Sequence, residues 1–363
     1  MTALFALTVR GLEDICAREM ARFGLIVGEI GYRRVHAQAR GDLRPLLALS
    51  TADDLFLEVS RWSGISHTRA ALDTFAALGG QLDLYRALAT CAQLRPINHP
   101  PAFSVTANFV GRRNYSSDEI KTALAGGIET ATGWVYSGDD GEADLNVRLF
   151  IEHTEALVGV RLAATPLHRR SYKQAQRPGS LKPTVAGAML EVLALRPGET
   201  VLDPCCGAGT ILVEAARRGG LARGGDTDAE AVAAALANGE NAALPLSVER
   251  WDARSLPLAD GSVEAIASNL PWDRQVTIEG DETTFYAAIC AEIERVLAAN
   301  GRAVLLTNRP ELLHFGGLVC QEQIEISLFG QKPTIGLYGV RPQIDNYLNP
   351  CENSVGKSTQ ASH

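Results

Sequence analysis

Short apolar runs alternate with helix-like segments along the C-terminal half of the chain. The runs suit β-strands, whereas in the segments between them apolar residues recur every three or four positions, which is the period of an amphipathic helix. This alternation predicts repeated β-α units and a mostly parallel sheet with helices on both faces. The expected strands begin at 201 and continue at 222–226, 246–251, 263–268 and 302–307, and the expected helices cover 183–193, 228–241 and 283–299. Two last runs, 322–328 and 334–340, flank Gly330 and predict an antiparallel hairpin.

The N-terminal half mixes strands and helices in a less regular order. Alternating apolar positions predict strands at 4–10, 27–39, 102–110, 144–152 and 156–162, and helical spacing predicts helices over 11–23, 81–92 and 116–133. The third helix opens with Ser116 and with Glu119 three positions later, the pattern of a capping box. We therefore expect an α+β region ahead of the α/β region.

Composition narrows the class of protein. The 363 residues are enough for two or three domains, and 46% of them are hydrophobic without any apolar run approaching a membrane span of about 18 residues. The start of the chain reads directly into folded sequence, so we expect a soluble cytoplasmic protein. Seven cysteines without a C-x-x-C pair suggest neither a zinc ribbon nor a disulfide framework, and the histidines lack ligand spacing, so we expect no metal.

Charge is unevenly distributed. The net charge of −8 argues against a general nucleic-acid binder, yet residues 161–182 carry six arginines and lysines and no acid. A smaller basic group lies at 112–121. These cations could hold phosphates, or they could simply be solvated, and charge alone does not decide between the two. The candidate phosphate contacts are Arg112, Arg113, Lys121, Arg169, Arg170 and Lys173.

The most informative stretch is 201–210, Val-Leu-Asp-Pro-Cys-Cys-Gly-Ala-Gly-Thr. A strand breaks at Asp203 into a glycine turn and becomes a helix, which is the context in which a glycine motif indicates nucleotide binding. Leu212 replaces the third glycine of a dinucleotide fingerprint, and the carboxylate suits a ligand with a cationic amino group. The stretch resembles motif I of the S-adenosylmethionine-dependent methyltransferases; a tight turn without a ligand is the alternative. The candidate donor contacts here are Asp203, Cys205, Gly207, Gly209 and Thr210.

Acidic residues also end the next two predicted strands. Asp226 is placed to accept hydrogen bonds from ribose hydroxyls, with Thr227 beside it, and Asp252 could accept from an adenine amino group, with Ala253 beside it. Asp228 is better explained as a helix N-cap. Any one strand-end Asp is often a cap or a turn residue, but three in register with motif I favour a donor site.

The tetrapeptide Asn269-Leu270-Pro271-Trp272 follows the fourth predicted strand. It resembles the Asn/Asp-Pro-Pro-aromatic motif of amino methyltransferases. The side-chain oxygen of Asn269 and the carbonyl of Pro271 could accept both N–H bonds of a planar amine and turn its lone pair toward a sulfonium methyl. Trp272 could stack on an extruded base or could plug the core. Arg274 could contact phosphate or solvent, and the role of Asp273 is left open.

Several motifs occur together in one order. They are Phe-Ser-Val-Thr-Ala from 103, Gly-Arg-Arg-Asn-Tyr-Ser-Ser-Asp-Glu-Ile from 111, Asp-Leu-Asn-Val-Arg-Leu-Phe-Ile-Glu from 144, Pro-Leu-His-Arg-Arg-Ser-Tyr from 166 and Leu-Lys-Pro-Thr-Val-Ala from 181. In this order they resemble the THUMP-domain RNA guanine-N2 methyltransferases. The resemblance implies a ferredoxin-like subdomain over 1–65, a THUMP RNA-binding domain over 66–165, a basic linker over 166–182 and a Rossmann-like methyltransferase domain over 183–343. The polar residues 344–363 are expected to form a disordered tail.

Together with these motifs, the resemblance implies S-adenosylmethionine-dependent methylation of the N2 amino group of a guanosine in tRNA, with the base flipped into a pocket at the tetrapeptide. Methylation of an rRNA guanine uses the same motifs and remains an alternative. A protein-glutamine or DNA-adenine methyltransferase fits the THUMP-like N-terminus less well. A non-catalytic RNA-binding adaptor is the alternative from another class, although the intact donor motifs speak against it. We expect a monomer that needs no membrane or metal.

Overall fold

The computed structural model describes residues 1–177, 179–272, 280–328 and 330–340, which form two β-sheets. An eight-stranded sheet lies in the N-terminal half and a seven-stranded sheet in the C-terminal half. The predicted fold class, an α+β region followed by a Rossmann-like α/β domain, is confirmed. The expected tail at 344–363 lies outside the described residues.

The N-terminal sheet has the strand order β2-β3-β1-β4-β8-β7-β5-β6. Its pairs are antiparallel except those that β5 makes with β6 and β7. The strands are β1 (Thr2–Leu7), β2 (Ile26–Gly31), β3 (Arg34–Ala39), β4 (Asp54–Trp62), β5 (Ala102–Phe109), β6 (Val135–Tyr136), β7 (Leu145–Glu152) and β8 (Glu155–Arg161). The helices are α1 (Glu13–Arg22), α2 (Ala71–Gly79), α3 (Leu84–Ala92) and α4 (Ser117–Thr132), with a 3₁₀ turn at Arg44–Ala48.

One sheet and one hydrophobic core run through both predicted N-terminal regions. Strand β4 of the first region pairs with β8 of the second, and buried residues from Leu4 to Leu167 form a single cluster. The boundary at 65 and 66 therefore stays a prediction. Helix α2 was not predicted from the sequence, because it is short and has no side-chain cap. Its buried Phe75 packs in this core.

The C-terminal sheet has the order β11-β10-β9-β12-β13-β15-β14. Strands β9 to β13 pair in parallel, and β15 is antiparallel to both β13 and β14, so the predicted C-terminal hairpin is confirmed. The strands are β9 (Thr200–Asp203), β10 (Leu221–Asp226), β11 (Ser247–Arg250), β12 (Val263–Asn269), β13 (Leu297–Thr307), β14 (Leu318–Glu325) and β15 (Thr334–Val340). The helices are α5 (Pro183–Val192), α6 (Thr210–Arg217), α7 (Ala229–Asn241) and α8 (Glu282–Val296), with a 3₁₀ turn at Pro310–Leu312.

Helix boundaries follow local chemistry at the N-termini. Ser116 and Glu119 form the predicted capping box of α4, and the Asp228 side chain caps α7 by accepting from the amide of Glu230 at 2.9 Å. At its C-terminus, α8 stops earlier than predicted. Leu297 already pairs with Val263 in the sheet, so strand pairing overrides a helix-like pattern there.

Helix α5 joins the two halves of the molecule. Its Val185 and Met189 pack in one core with Leu12 and Ile15 of the N-terminal half. A Cβ atom on Gly187 would lie 2.5 Å from the carbonyl oxygen of Ser50, so only glycine allows the backbones to approach this closely.

The same interface contains the buried carboxylate of Glu19 on α1. It accepts hydrogen bonds from the backbone amides of Ser50 and Thr51 at 2.8–3.1 Å and from both of their hydroxyls at 2.6 Å. Arg218, just after α6, reaches across the interface to 3.7 Å from Glu19 and donates to the Gly187 carbonyl at 2.9 Å. This carboxylate thus holds the loop at 50–51 against α1, and Arg218 connects the group to the C-terminal half.

We predict that Glu19→Ala lowers the free energy of unfolding by about 3 to 5 kcal/mol, because it leaves two buried amides without their acceptor and removes a carboxylate close to Arg218. Urea denaturation followed by circular dichroism measures the change. Glu240→Ala, which removes an exposed carboxylate on α7, serves as control and should change stability by less than about 0.5 kcal/mol. Equal losses for the two variants would contradict the assigned role of Glu19.

Candidate functional site

The site lies where the order of the C-terminal sheet reverses. Strand β9 is followed along the chain by its neighbour β10 on one side, while β12 lies on its other side. In such sheets ligands bind beyond the carboxyl ends of the strands at this reversal. A cavity with a volume of about 490 Å³ opens there. Its lining includes the predicted donor residues Asp203, Cys205, Gly207, Thr210, Asp226, Thr227, Asp252 and Ala253 and the predicted catalytic residues Asn269, Pro271 and Trp272.

Asp203 ends β9 and is buried at the floor of the cavity. Its Oδ1 accepts from the Ser268 hydroxyl at 2.7 Å and from the Cys205 amide at 3.2 Å. The pKa of Asp203 is raised to about 7, mainly by burial and in smaller part by the Asp226 carboxylate, against the two hydrogen bonds, which lower it. Among the described residues no cation contributes to this balance. The site therefore holds an acid that a cationic ligand group would help to ionise.

Asp226 at the end of β10 faces the same cavity. Its two oxygens accept from the amides of Gly207, at 3.0 Å, and Asp228, at 3.1 Å. Each carboxylate oxygen keeps further lone pairs, so Asp226 can still accept from a ligand.

Gly209 is the one predicted donor residue that is absent from the cavity lining. It caps α6 with a φ of 73°, and a Cβ atom there would lie 2.8 Å from Cβ of Ala235 on α7. Gly209 thus permits a left-handed turn and close helix packing. The neighbouring Cys205 lines the cavity, but burial raises the pKa of its thiol well above the ordinary value, so it is not a ready nucleophile.

Asp252 is already engaged by an arginine. The Arg254 guanidinium donates to it at 2.7–3.1 Å, and these hydrogen bonds lower the pKa of Asp252. A contact with an adenine amino group, as predicted, would have to share the carboxylate with Arg254.

The tetrapeptide 269–272 closes one wall of the cavity. Asn269 is the last residue of β12, and its Oδ1 accepts from the Trp272 indole N–H at 3.1 Å. The Pro271 carbonyl accepts from the Tyr286 hydroxyl at 2.8 Å. Both predicted acceptor oxygens therefore have one internal donor and one lone pair left for a ligand. Asp273 and Arg274 lie outside the described residues.

Several lining residues were missed from sequence. Trp251 lines the cavity, with its indole N–H donating to the Pro204 carbonyl at 3.2 Å, and Phe285 of α8 lines it too. Arg177 of the linker also lines the cavity and forms ion pairs with Asp228 and Glu230. In a sequence, an aromatic residue in or beside a strand or helix is taken for a core residue. No local pattern indicates that these residues line a cavity.

Most of the predicted phosphate contacts are engaged within the protein. Arg170 is nearly buried against Glu214, at 3.2 Å, and burial lowers the pKa of Lys173 to about 8 while its amine donates to the Leu181 carbonyl. Arg113 donates to the Tyr115 hydroxyl, and Lys121 pairs with Asp118 at 2.8 Å. Among the members of the set that the structure describes, only Arg112 and Arg169 are exposed.

The described residues contain neither a metal-binding cluster nor a helix that could span a membrane. No group of histidine, cysteine and carboxylate side chains there has the arrangement of a metal site. None of the helices in the same residues is both long and apolar enough to cross a membrane.

The sheet order and the cavity define a Rossmann-like domain of the S-adenosylmethionine-dependent methyltransferase class. Residues 170–315 match the family UPF0020, RMKL-like, methyltransferase domain.

Similar proteins and a similar solved structure agree with this class. The tRNA (guanine(6)-N(2))-methyltransferases THUMP3 of Bos taurus and Homo sapiens are each 31% identical over 222 residues, which cover 56% of this chain. The chain spans less than half of their length, 43%. The crystal structure of TrmN from Thermus thermophilus superposes with a TM-score of 0.76 at 27% identity, covering 94% of this chain and 100% of that one.

We predict that Asp203→Asn stabilises the protein more at pH 8 than at pH 5, by about 2 to 3 kcal/mol. A carboxyl whose pKa is higher in the folded than in the unfolded state loses stability as the pH rises from about 4 to about 7, and the amide does not titrate. Urea denaturation at the two pH values tests this.

Asp252→Asn is the matched control for that experiment, because the pKa of Asp252 is lowered and its contribution has the opposite sign. A difference for Asp203→Asn that is independent of pH, or that grows toward pH 5, would show that Asp203 is ionised at the cavity floor.

Proposed function

We propose that this protein transfers the methyl group of S-adenosylmethionine to the N2 amino group of a guanosine in tRNA. The observation that carries the proposal is the shared cavity in which the buried acid Asp203 and the acceptor pair of Asn269 and Pro271 line neighbouring strand ends. The curated relatives are named as guanine-N2 methyltransferases of tRNA, which supports the same reaction. Monomeric state and cytoplasmic location remain predictions.

The cavity fits the methyl donor. Its volume of about 490 Å³ lies within the usual range for sites that bind small ligands. The amino group of the donor would supply the cation that Asp203 lacks, and Asp226 would accept from the ribose hydroxyls. When bound, the donor supplies an electrophilic sulfonium methyl; the residues around it orient and enclose it.

The acceptor side explains why no strong base is needed. The exocyclic amine of guanine is a weak nucleophile, because its lone pair is delocalised into the ring. The remaining lone pairs of Asn269 Oδ1 and the Pro271 carbonyl would accept its two N–H bonds and point the nitrogen at the methyl group. Such positioning can contribute roughly 7 to 11 kcal/mol in favourable cases. The extra proton leaves only after transfer, from a nitrogen that has become acidic.

Trp272 serves this arrangement in two ways. Its indole N–H fixes the orientation of the Asn269 amide, and its ring borders the cavity where a base flipped out of the RNA would stack. Stacking on such a ring is worth about 1 to 3 kcal/mol per base. The exposed Arg112 and Arg169 are the phosphate contacts that we keep in the proposal, whereas Arg113, Lys121, Arg170 and Lys173 would first have to leave their present partners.

The direct test is incubation of the protein with labelled donor and unmodified tRNA or rRNA, followed by identification of the labelled nucleoside. We expect N2-methylguanosine from tRNA. Label in rRNA alone would show that the substrate is rRNA and not tRNA. Label in N6-methyladenosine or in protein would overturn the proposed reaction. Donor binding without any transfer would favour an adaptor.

We predict that Asn269→Ala abolishes methyl transfer and leaves the affinity for S-adenosylhomocysteine within a few-fold of wild type, because the variant lacks the amine acceptor while the acids of the donor side remain. Asn269→Asp keeps an acceptor oxygen of the same shape and should retain part of the activity. Single-turnover rates and calorimetry separate the two steps. Equal loss of transfer and of affinity in Asn269→Ala would contradict the assigned role.

A further inference from the structure

Tyr286 of α8 is fully buried, yet its hydroxyl lies directly behind the cavity wall. The oxygen is 2.8 Å from the Pro271 carbonyl and 2.8 Å from Oγ1 of Thr307 at the end of β13. A purely apolar anchor would not need a hydroxyl at this depth, since a buried polar group costs free energy unless it is paired.

The direction of each hydrogen bond follows from its partners. A carbonyl can only accept, so the Tyr286 proton goes to Pro271. Thr307 must then donate its own proton to Tyr286, and its oxygen accepts from the Arg309 amide at 3.0 Å. The result is a one-way chain of hydrogen bonds that begins at a backbone amide beyond β13 and ends at the carbonyl that lines the cavity.

We propose that Tyr286 is a positioning residue, which fixes the Pro271 carbonyl so that its free lone pair meets the N–H of the methyl-accepting amine. The inference rests on the proposed function. The loop is also held here by the Leu270 amide, which donates to the Leu306 carbonyl at 3.0 Å, and by the Trp272 indole N–H, which donates to Asn269, but neither bond reaches the Pro271 carbonyl itself. Without the Tyr286 hydroxyl the carbonyl can rotate away from the amine.

The chain offers a close control. Tyr338 of β15 is 3% exposed and belongs to the same hydrophobic core as Tyr286, but its hydroxyl bonds to Gln323 on the outer hairpin. Tyr286→Phe and Tyr338→Phe each remove one buried hydroxyl and keep the ring. A purely structural role predicts similar behaviour for both, whereas a positioning role affects transfer only in Tyr286→Phe.

The experiment measures single-turnover methyl transfer, KM for tRNA, affinity for S-adenosylhomocysteine and Tm for both variants. For Tyr286→Phe we expect a rate lower by about 10-fold to 100-fold, the scale of a small misplacement at a reacting centre, with KM and donor affinity unchanged. Tyr338→Phe should keep the wild-type rate. Thr307→Val, which removes the donor to Tyr286, should also slow transfer, and Thr307→Ser should restore it.

Each remaining outcome overturns the inference. A Tyr286→Phe rate within twofold of wild type, or a loss matched by Tyr338→Phe, means that the hydroxyl does not position the carbonyl. A parallel loss of donor affinity means that the hydroxyl supports the cavity as a whole. Wild-type protein that transfers no methyl group overturns the proposed function as well, whereas active wild type with unaffected Tyr286→Phe overturns only the role of Tyr286.

Discussion

The parallel pairing of β9 with β12 is the constraint on which the site depends. Val201 lies beside Ala265 and Leu202 beside Ile266, so both strands end at the same edge of the sheet. The 2.7 Å hydrogen bond from Ser268 to Asp203 ties the two ends together. A shift of one residue would turn every side chain of β12 to the opposite face, and the Asn269 side chain would leave the cavity wall.

The cavity is rich in acids that the fold does not fully compensate. Asp203 is buried near Asp226 and has a raised pKa, whereas Asp252 accepts hydrogen bonds from the Arg254 guanidinium. A buried carboxyl without a cation opposes folding. Groups that lower stability in this way are expected at functional sites. The acceptor side is built differently, because Asn269 and Pro271 each already have an internal donor that orients them. One side of the cavity thus carries a buried acid without a cation, and the other carries two oriented acceptor oxygens.

Buried carboxylates also fix how the N-terminal half sits on the catalytic half. Besides Glu19, Asp53 accepts from the Thr184 hydroxyl at 2.6 Å and pairs with Lys182 at 2.7 Å, and Glu214 accepts from the Tyr172 hydroxyl at 2.8 Å. These contacts occupy much of the basic linker. Arg170, Arg177 and Lys182 of this linker are paired with carboxylates within the protein, so less of its positive charge is available to an outside phosphate.

The sequence by itself determined the elements whose signals are local. The β-α alternation, the final hairpin, the caps at Ser116 and Asp228 and the glycine turn after β9 were all predictable, because a period, a cap or a turn needs only neighbouring residues. It also placed the acids and the tetrapeptide at strand ends that a reversal of the sheet brings together. Only the tertiary structure decided what those groups touch. Tyr286 lies behind Pro271, Arg254 holds Asp252 and Glu214 takes Arg170, since a side chain's partners across elements depend on packing, and no spacing along the chain encodes them.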